Sequence, residues 1–413
     1  MDNLFNLLDK GKTQFHLVKE CKNILSTNGF DELDITTEWD LIPGKKYMVS
    51  PYSSMLIAFV YGEHATSLRM AAAHTDFPML KLKPNPEISK IGYKQANVEP
   101  YGGLISSTWF DRPLGLAGKV MVKGENVFSP KALLFDSEKP IFTIPNLAPH
   151  LKKEKNAELD LQKELIPLAG TINSDDTSKE NFIKDYIANT LSIDSKDILD
   201  YDLYLYITDA PEYIGIDDEF ISSPRLDNIS SVSAILSSLC TGKIQNCIAL
   251  GAFFDNEEIG SRSKQGADSL LLRDIIDRIL PSKNFYANAF NLSLDVAHGT
   301  HPNYPEKSDI TNQITLGQGV VLKTSASQRY VTDSEAGAVI TALCNENNIP
   351  LKKQVNRSGM AGGQTLGPIM SSYLPIKSVD MGIPMLAMHS ARELVHKKDY
   401  ISLVDMITKY YEY

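Results

Sequence analysis

The sequence predicts an α/β protein interrupted by a β-rich insertion. Two observations carry this. Short apolar β-type runs alternate with helical patterns over much of the chain, as they do where helices cover both faces of a sheet. From about Pro84 to Ile221 the alternation stops, and short β runs, Gly102-Gly103 and several prolines take over. The boundaries drawn from this are 1–83 and 221–413 for a discontinuous α/β domain and 84–220 for the insertion. A chain of 413 residues is long enough for two domains with sizeable cores.

Taken in order, Leu4, Leu7, Leu8, Phe15 and Val18 suit an amphipathic helix. Met55 to Tyr61 and Ser67 to Ala73 read as strands. In the insertion, Lys119 to Lys123, Ala132 to Phe135 and Asp202 to Ile207 are short β runs, and Lys152-Lys153-Glu154-Lys155 is highly charged. Asn228 to Leu239 reads as a helix with Gly242 as its stop. Cys247 to Phe254 is a strand. Ser269 to Leu280 repeats apolar residues at helical spacing and stops at Pro281. Asn291 to Val296 is a strand, Ser334 to Glu346 a helix closed before Pro350, and Leu386 to Met388 the end of another strand.

Composition excludes some functions. The net charge of −10 disfavours nucleic acid, whose binding needs a basic face. No polybasic segment favours a membrane surface, and no apolar run approaches the roughly 20 residues of a membrane-spanning helix. The N-terminus, with Asp2 and Asp9, lacks the basic start and apolar core of a secretory signal. Cys21, Cys240, Cys247 and Cys344 form no CxxC, so reduced, mostly buried thiols in the cytoplasm are expected.

Ligands of open α/β sheets bind at the carboxyl ends of the strands. Here those ends are rich in acids and histidines. Ser67 to Ala73 leads into His74-Thr75-Asp76. Cys247 to Phe254 leads into Asp255-Asn256-Glu257-Glu258. Leu292 to Leu294 leads into Asp295, then His298 and His301. Ala387-Met388 leads into His389, and Asp227 stands at a helix start. Each feature alone has an ordinary reading. A lone HxD is more often structural, paired glutamates after a strand make a solvated turn, and an Asp at a helix start is an N-cap. Five of them on one α/β pattern outweigh those readings. Carboxylates packed together raise one another's pKa unless a cation joins them. Imidazole with carboxylate suits zinc, with manganese or cobalt as substitutes. In Glu257-Glu258, one carboxylate would bind metal and its neighbour take the proton of a metal-bound water. In His74-Thr75-Asp76, Asp76 would hold the far nitrogen of His74. Asp255 is expected to support the turn.

These motifs resemble a known family. His74-Thr75-Asp76, Ser223-Pro224-Arg225-Leu226-Asp227-Asn228, Phe254 to Ser261, Asp295 to Tyr304 and Met388-His389-Ser390 strongly resemble, in order and spacing, the M18 metallopeptidases, the aspartyl aminopeptidase family. The resemblance covers nearly the whole chain. It implies a zinc-peptidase-like α/β domain with a mixed central sheet, interrupted by a β-rich dimerisation domain. It implies two divalent ions per chain, bridged by Asp227. His74 and Asp295 would complete one site, Glu258 and His389 the other. Glu257 would be the general base and Asp76 would orient His74. His150, in Ile144 to Leu151, would enter a neighbouring subunit's site and stabilise the oxyanion. Lys323, in Gly319 to Lys323, would pair with an acidic substrate side chain, and His301 would contact substrate. Without the resemblance, His150 reads as a surface histidine and Lys323 as a solvated strand-end lysine.

The resemblance further implies dimers assembled into a tetrahedral dodecamer acting on peptides. The expected activity is removal of N-terminal residues, Asp or Glu, by attack of a metal-bound hydroxide. Two alternatives remain open: a broad-specificity aminopeptidase preferring neutral residues, and a non-catalytic oligomeric shell. One segment departs from the family. Within Arg357 to Ile369, Gly359 stands where the family has Asp, and Gln364 where it has Ser or Thr.

Overall fold

The computed structural model describes residues 1–151, 159–172, 180–360 and 362–413. Lys152, Lys153, Glu154, Lys155 and Ala361 lie outside them. The chain forms two compact units, one of residues 1–76, 211–388 and 393–413, the other of 77–210 and 389–392. The chain passes from one unit to the other at Asp76 and again at Ala210, rather than near 83 and 220. Pairing explains the difference. Met79–Lys90 is hydrogen-bonded to Tyr93–Tyr101 and to Ile198–Ile207, so it belongs to the second unit's sheet. Glu212–Ile214 pairs with Phe220–Ser223 in the first unit.

The first unit is built on a mixed nine-stranded sheet. Its order is Phe30–Glu32, Lys46–Tyr52, Met55–Tyr61, Cys247–Phe254, Ser67–His74, Phe290–Leu294, Lys377–Gly382, Val320–Lys323 and Leu351–Gln354. At its centre, Cys247–Phe254, Ser67–His74 and Phe290–Leu294 run parallel. A parallel strand has both faces covered, so it reads as continuous apolar sequence. Every residue of Cys247–Phe254 is buried. The small side chains Ala71, Ala72 and Ala73 leave room for covering helices. The helix Leu226–Thr241 is buried along nearly its whole length, and Ser233 Oγ meets Tyr400 OH of the C-terminal helix Lys397–Glu412 at 2.8 Å. Met70, Leu250, Phe254, Ile275 and Ile276 belong to one buried cluster, each side chain worth about 1.5–3 kcal/mol on full burial. A smaller five-stranded sheet runs Glu212–Ile214, Phe220–Ser223, Glu393–His396, Pro384–Leu386 and Ala297–His298.

The second unit is β-rich. Its six-stranded sheet has the order Lys131–Asp136, Leu114–Val122, Ile198–Ile207, Met79–Lys90, Tyr93–Tyr101 and Leu168–Thr171, all antiparallel.

The strands Met55–Tyr61 and Cys247–Phe254 and the helix Ser334–Glu346 form where their periodicity places them. The N-terminus differs. In place of one amphipathic helix there are two, Asp2–Lys10 and Gln14–Thr27, because Gly11 ends the first and Thr13 caps a second whose buried face is turned. All four cysteines are free thiols. No helix among the described residues is long and apolar enough to cross a membrane.

Candidate metal centre

Register delivers the site. His74 lies beside Phe254 in the parallel pair, so the acidic turn begins next to the histidine. Thr75 fastens that junction. Its N–H donates to the Phe254 carbonyl at 2.7 Å, and its hydroxyl to the Ser54 carbonyl at 2.8 Å. On the other flank, Phe290–Leu294 pairs with Ser67–His74 and ends just before Asp295. The next strand approaches closely there: a Cβ on Gly382 would stand 1.8 Å from the Asp295 carbonyl. Three adjacent parallel strands thus finish at one rim with His74, the Glu257-Glu258 turn and Asp295.

Asp227 reaches this rim from the start of its helix, where its backbone and that of Asn228 are not yet helical and the peptide between them is cis. Its N–H donates to Glu393 Oε2 at 2.9 Å, and Asn228 Nδ2 donates to the Leu294 carbonyl at 2.8 Å. The second bond ties the helix start to the strand that carries Asp295.

His74, Asp227 and Asp295 offer ligand atoms within 4.8 Å of one another, as do His74, Glu257 and Glu258, and Glu258 stands equally near Asp227. His74 Nε2 is 3.4 Å from Asp227 Oδ1 and 3.6 Å from Asp295 Oδ1. These separations are long for hydrogen bonds, which peak at about 2.9–3.0 Å. They match two atoms each about 2.0–2.2 Å from one tetrahedral ion, which stand about 3.3–3.6 Å apart. One imidazole and several carboxylates, with no thiolate, form a donor set that fits zinc, manganese or cobalt.

The charges point the same way. Burial opposes a proton on His74, but Asp227, Asp295 and Asp76 outweigh it and lift the ring well above its ordinary range. Burial pushes the Glu257 carboxyl up to about 8, and the charges of Asp295, Asp76 and Asp227 add to the rise. Burial likewise pushes Asp255 up to about 7, aided by Asp76. Asp255 accepts from the Asn256 N–H at 2.8 Å and supports the turn. A site this acidic is relieved by a cation.

Asp76 works differently from the sequence expectation. The Nδ1 atom of His74 meets the main-chain carbonyl of Asp76 at 2.9 Å, while the nearest carboxylate oxygen is 3.6 Å away. That carboxylate instead accepts the N–H groups of Glu257 and Glu258, at 3.1 and 3.2 Å. The strand ends at His74, so the alternation that would align residues 74 and 76 no longer applies.

Lys323 is not a solvated lysine. It is 1% exposed and donates to the carbonyls of Asp295 and Val296 at 3.2 and 3.0 Å. Burial opposes its charge, yet Asp295 and its neighbours outweigh that and raise its pKa. His301 is half-buried, with Nδ1 accepting the Asn303 N–H at 3.1 Å. Gly359 has φ +83°, a conformation that favours glycine, and Gln364 is exposed. In the second unit, His150 is exposed in the short helix Pro149–Leu151. His389 also groups there, its Nδ1 3.1 Å from the Gly103 carbonyl. Glu393 and Asn228 had no role in the sequence reading. Asn228 sits inside the quoted SPRLDN motif, a usable signal, whereas nothing in the spacing marks Glu393.

Comparison with known proteins agrees with this geometry. The profile of the family described as Aminopeptidase I zinc metalloprotease (M18) matches residues 7–411. A curated relative from Clostridium novyi, a probable M18 family aminopeptidase 2, is 41% identical and is covered over 98% of its length by 99% of this chain. The solved S. cerevisiae mApe1 dodecamer is 25% identical with a TM-score of 0.85, covering 100% of this chain and 96% of its own. An M18 aminopeptidase structure from Thermotoga maritima, 24% identical, shares the fold with a TM-score of 0.88 over 99% of this chain and 94% of its own.

Proposed function

We propose, on the premise that the chain belongs to the M18 family of zinc aminopeptidases, that it removes N-terminal Asp and Glu from peptides at a pair of divalent ions. Family membership makes it a metallo-aminopeptidase. The finer reading rests above all on one observation: His74, Asp227, Asp295, Glu257 and Glu258 share a single rim at ligand distances.

In this reading Asp227 would hold both ions, His74 and Asp295 would complete one site, and Glu258 and His389 the other. Zinc bound there would lower the pKa of a coordinated water and polarise the scissile carbonyl. Glu257 is the general base. It takes the proton of the attacking water and returns it to the leaving amine. In the metal-free chain burial raises the proton affinity of its carboxyl, and the positive charge of bound metal would oppose that rise. Asp76 keeps the Glu257-Glu258 turn at the rim through the two N–H bonds it accepts.

Recognition of the acidic residue draws on Lys323. Its ammonium donates to two carbonyls and stands 3.6 Å from Asp295 Oδ2, so it would act on a substrate carboxylate through its positive charge. His301 offers its other ring nitrogen to the peptide. The exposure of His150 suits a residue that stabilises the oxyanion in a neighbouring subunit. That role requires an oligomer, and the yeast relative is a dodecamer; for this chain the reading is a tetrahedral assembly of dimers, acting in the cytoplasm. The burial of Lys323 favours a second reading, an aminopeptidase of broad specificity that prefers neutral residues.

The test is Glu257→Gln with metal counted by mass spectrometry. The variant is expected to keep two zinc ions per chain and lose turnover by about 100- to 10,000-fold. Substantial turnover, or fewer than two ions in the active wild type, contradicts the reading.

A further inference from the structure

Three residues beyond Asp295 the chain enters a cavity of about 220 Å³, lined by His298, His301, Lys307, Asp309, Gln354 and Arg357 among others. Its place follows from chain length alone. Three residues span at most about 10 Å, so the cavity opens within a few residues' reach of the metal centre.

Its charge is net positive. The lining carries Lys307 and Arg357, and Asp309 is the one acid among its described residues. That acid is turned to its own loop. Its Oδ1 accepts from Thr311 N, Thr311 Oγ1, Asn312 N and Asn312 Nδ2 at 3.0, 3.1, 3.0 and 2.7 Å. Those bonds hold its carboxyl down to about 2, so it stays ionised without a cationic partner. Neither Lys307 nor Arg357 forms an ion pair among the described residues. The position two beyond Arg357 is Gly359, which brings no carboxylate to neutralise it. His301 adds a donor. Its Nδ1 accepts the Asn303 N–H, so the neutral ring carries its proton on Nε2. A cationic recess in a chain of net charge −10 is a local reversal of sign.

Lys323 makes a contrast. It is buried, and two of its donors are engaged by carbonyls. The open recess adds exposed cationic donors to the buried charge of Lys323. Its volume is several times the roughly 30 Å³ share of a water molecule, enough for an Asp or Glu side chain with solvent.

We propose that Arg357 determines specificity by gripping the carboxylate of the peptide's first side chain in this recess, with Lys307 and His301 Nε2 beside it. The planar guanidinium fork matches a carboxylate with two parallel N–H bonds, which an ammonium does not. The inference deepens the acidic-peptide reading and rests on it for its ligand.

The experiment titrates zinc-loaded wild type, Arg357→Ala and Arg357→Lys calorimetrically with free L-aspartate and L-leucine. It is paired with kcat/KM on peptides beginning with Asp and Leu. Arg357→Ala is expected to weaken aspartate at least 10-fold and leucine less than 2-fold, with Arg357→Lys in between. Unchanged aspartate affinity, an equal loss for both amino acids, or no aspartate binding by wild type overturns the proposal. A wild type that turns over Leu peptides better, while its aspartate affinity depends on Arg357, sinks the acidic-peptide reading and overturns Arg357 as the determinant of turnover specificity, while supporting it as the carboxylate ligand of the recess. Acidic turnover that survives in Arg357→Ala keeps the acidic-peptide reading and overturns Arg357 as its determinant.

Discussion

The carboxylate of Asp76 accepts the main-chain N–H of Glu257 at 3.1 Å, across 181 residues of sequence. Its second oxygen accepts the N–H of Glu258 at 3.2 Å. One buried acid therefore fixes the turn that presents two others, and their side chains are left to face the rim.

Asp76→Ala should then damage both functions of the turn. The two N–H groups lose their acceptor and the glutamates lose their aim. Expected are a fall in kcat of about 100-fold and a weakening of zinc by about 10- to 100-fold, as when outer-shell partners of ligands are removed. Steady-state kinetics with a zinc-competition titration checks this. Full retention of zinc affinity and kcat would remove Asp76 from the role.

Lys323→Met tests a buried cation that holds the main chain around Asp295. Methionine fills similar space but leaves the Asp295 and Val296 carbonyls without their donor. An unsatisfied buried acceptor costs about 1–3 kcal/mol. The melting temperature is expected to drop, and KM to rise more for Asp-peptides than for Leu-peptides. An unchanged melting temperature would show that the two carbonyl bonds carry no stability.

Removal of metal should loosen the first unit. With metal gone, Asp227, Glu258, Glu257 and Asp295 stand near His74 without the cation that relieves their repulsion. A ligand present at 1,000 times its Kd stabilises by about 4 kcal/mol. Dialysis against a chelator should lower the melting temperature by several degrees, and zinc should restore it. Calorimetry of the two forms measures the gap, and equal melting temperatures would contradict a metal centre at this rim.

A pH test uses Asp399, which holds the loop of Gly317 and Gly319. Its carboxylate accepts the N–H groups of Gly317 and Gly319 at 2.6 and 2.7 Å, and burial lifts its pKa to about 6 from the ordinary 3.8. The folded chain therefore binds this proton more tightly than the unfolded chain. The stability so gained is complete below about pH 4 and is lost as pH rises through 6. Asp399→Asn cannot titrate. Relative to the variant, the wild type should lose up to about 3 kcal/mol between pH 4 and 7. Urea midpoints of the metal-free proteins at about pH 5 and 7.5 read the difference, and a gap independent of pH would refute it.

Much of the rim was legible in the sequence because its residues stand where elements stop. His74, Asp295 and Glu257-Glu258 each follow a short β-type run, continuously apolar in Cys247–Phe254, and these runs are adjacent parallel strands whose ends coincide. Asp227 was legible from its motif. What escaped was side-chain direction. The aim of Asp76 depends on the chain leaving the strand at His74, and periodicity does not extend past an element's end. Lys323 is buried by long-range packing, with the Tyr330 ring from the following loop 5.3 Å from its ammonium. Glu393 meets Asp227 across 166 residues, a separation at which local spacing carries no signal. The insertion's edges were misplaced because Met79–Lys90 reads as a strand with either neighbour, and only pairing assigns it.

The measurement that tests the account most directly is kcat/KM of the zinc-saturated wild type on matched peptides beginning with Asp, Glu and Leu. The account predicts that Asp and Glu peptides are turned over at least 10-fold more efficiently than the Leu peptide. A preference for Leu would contradict it.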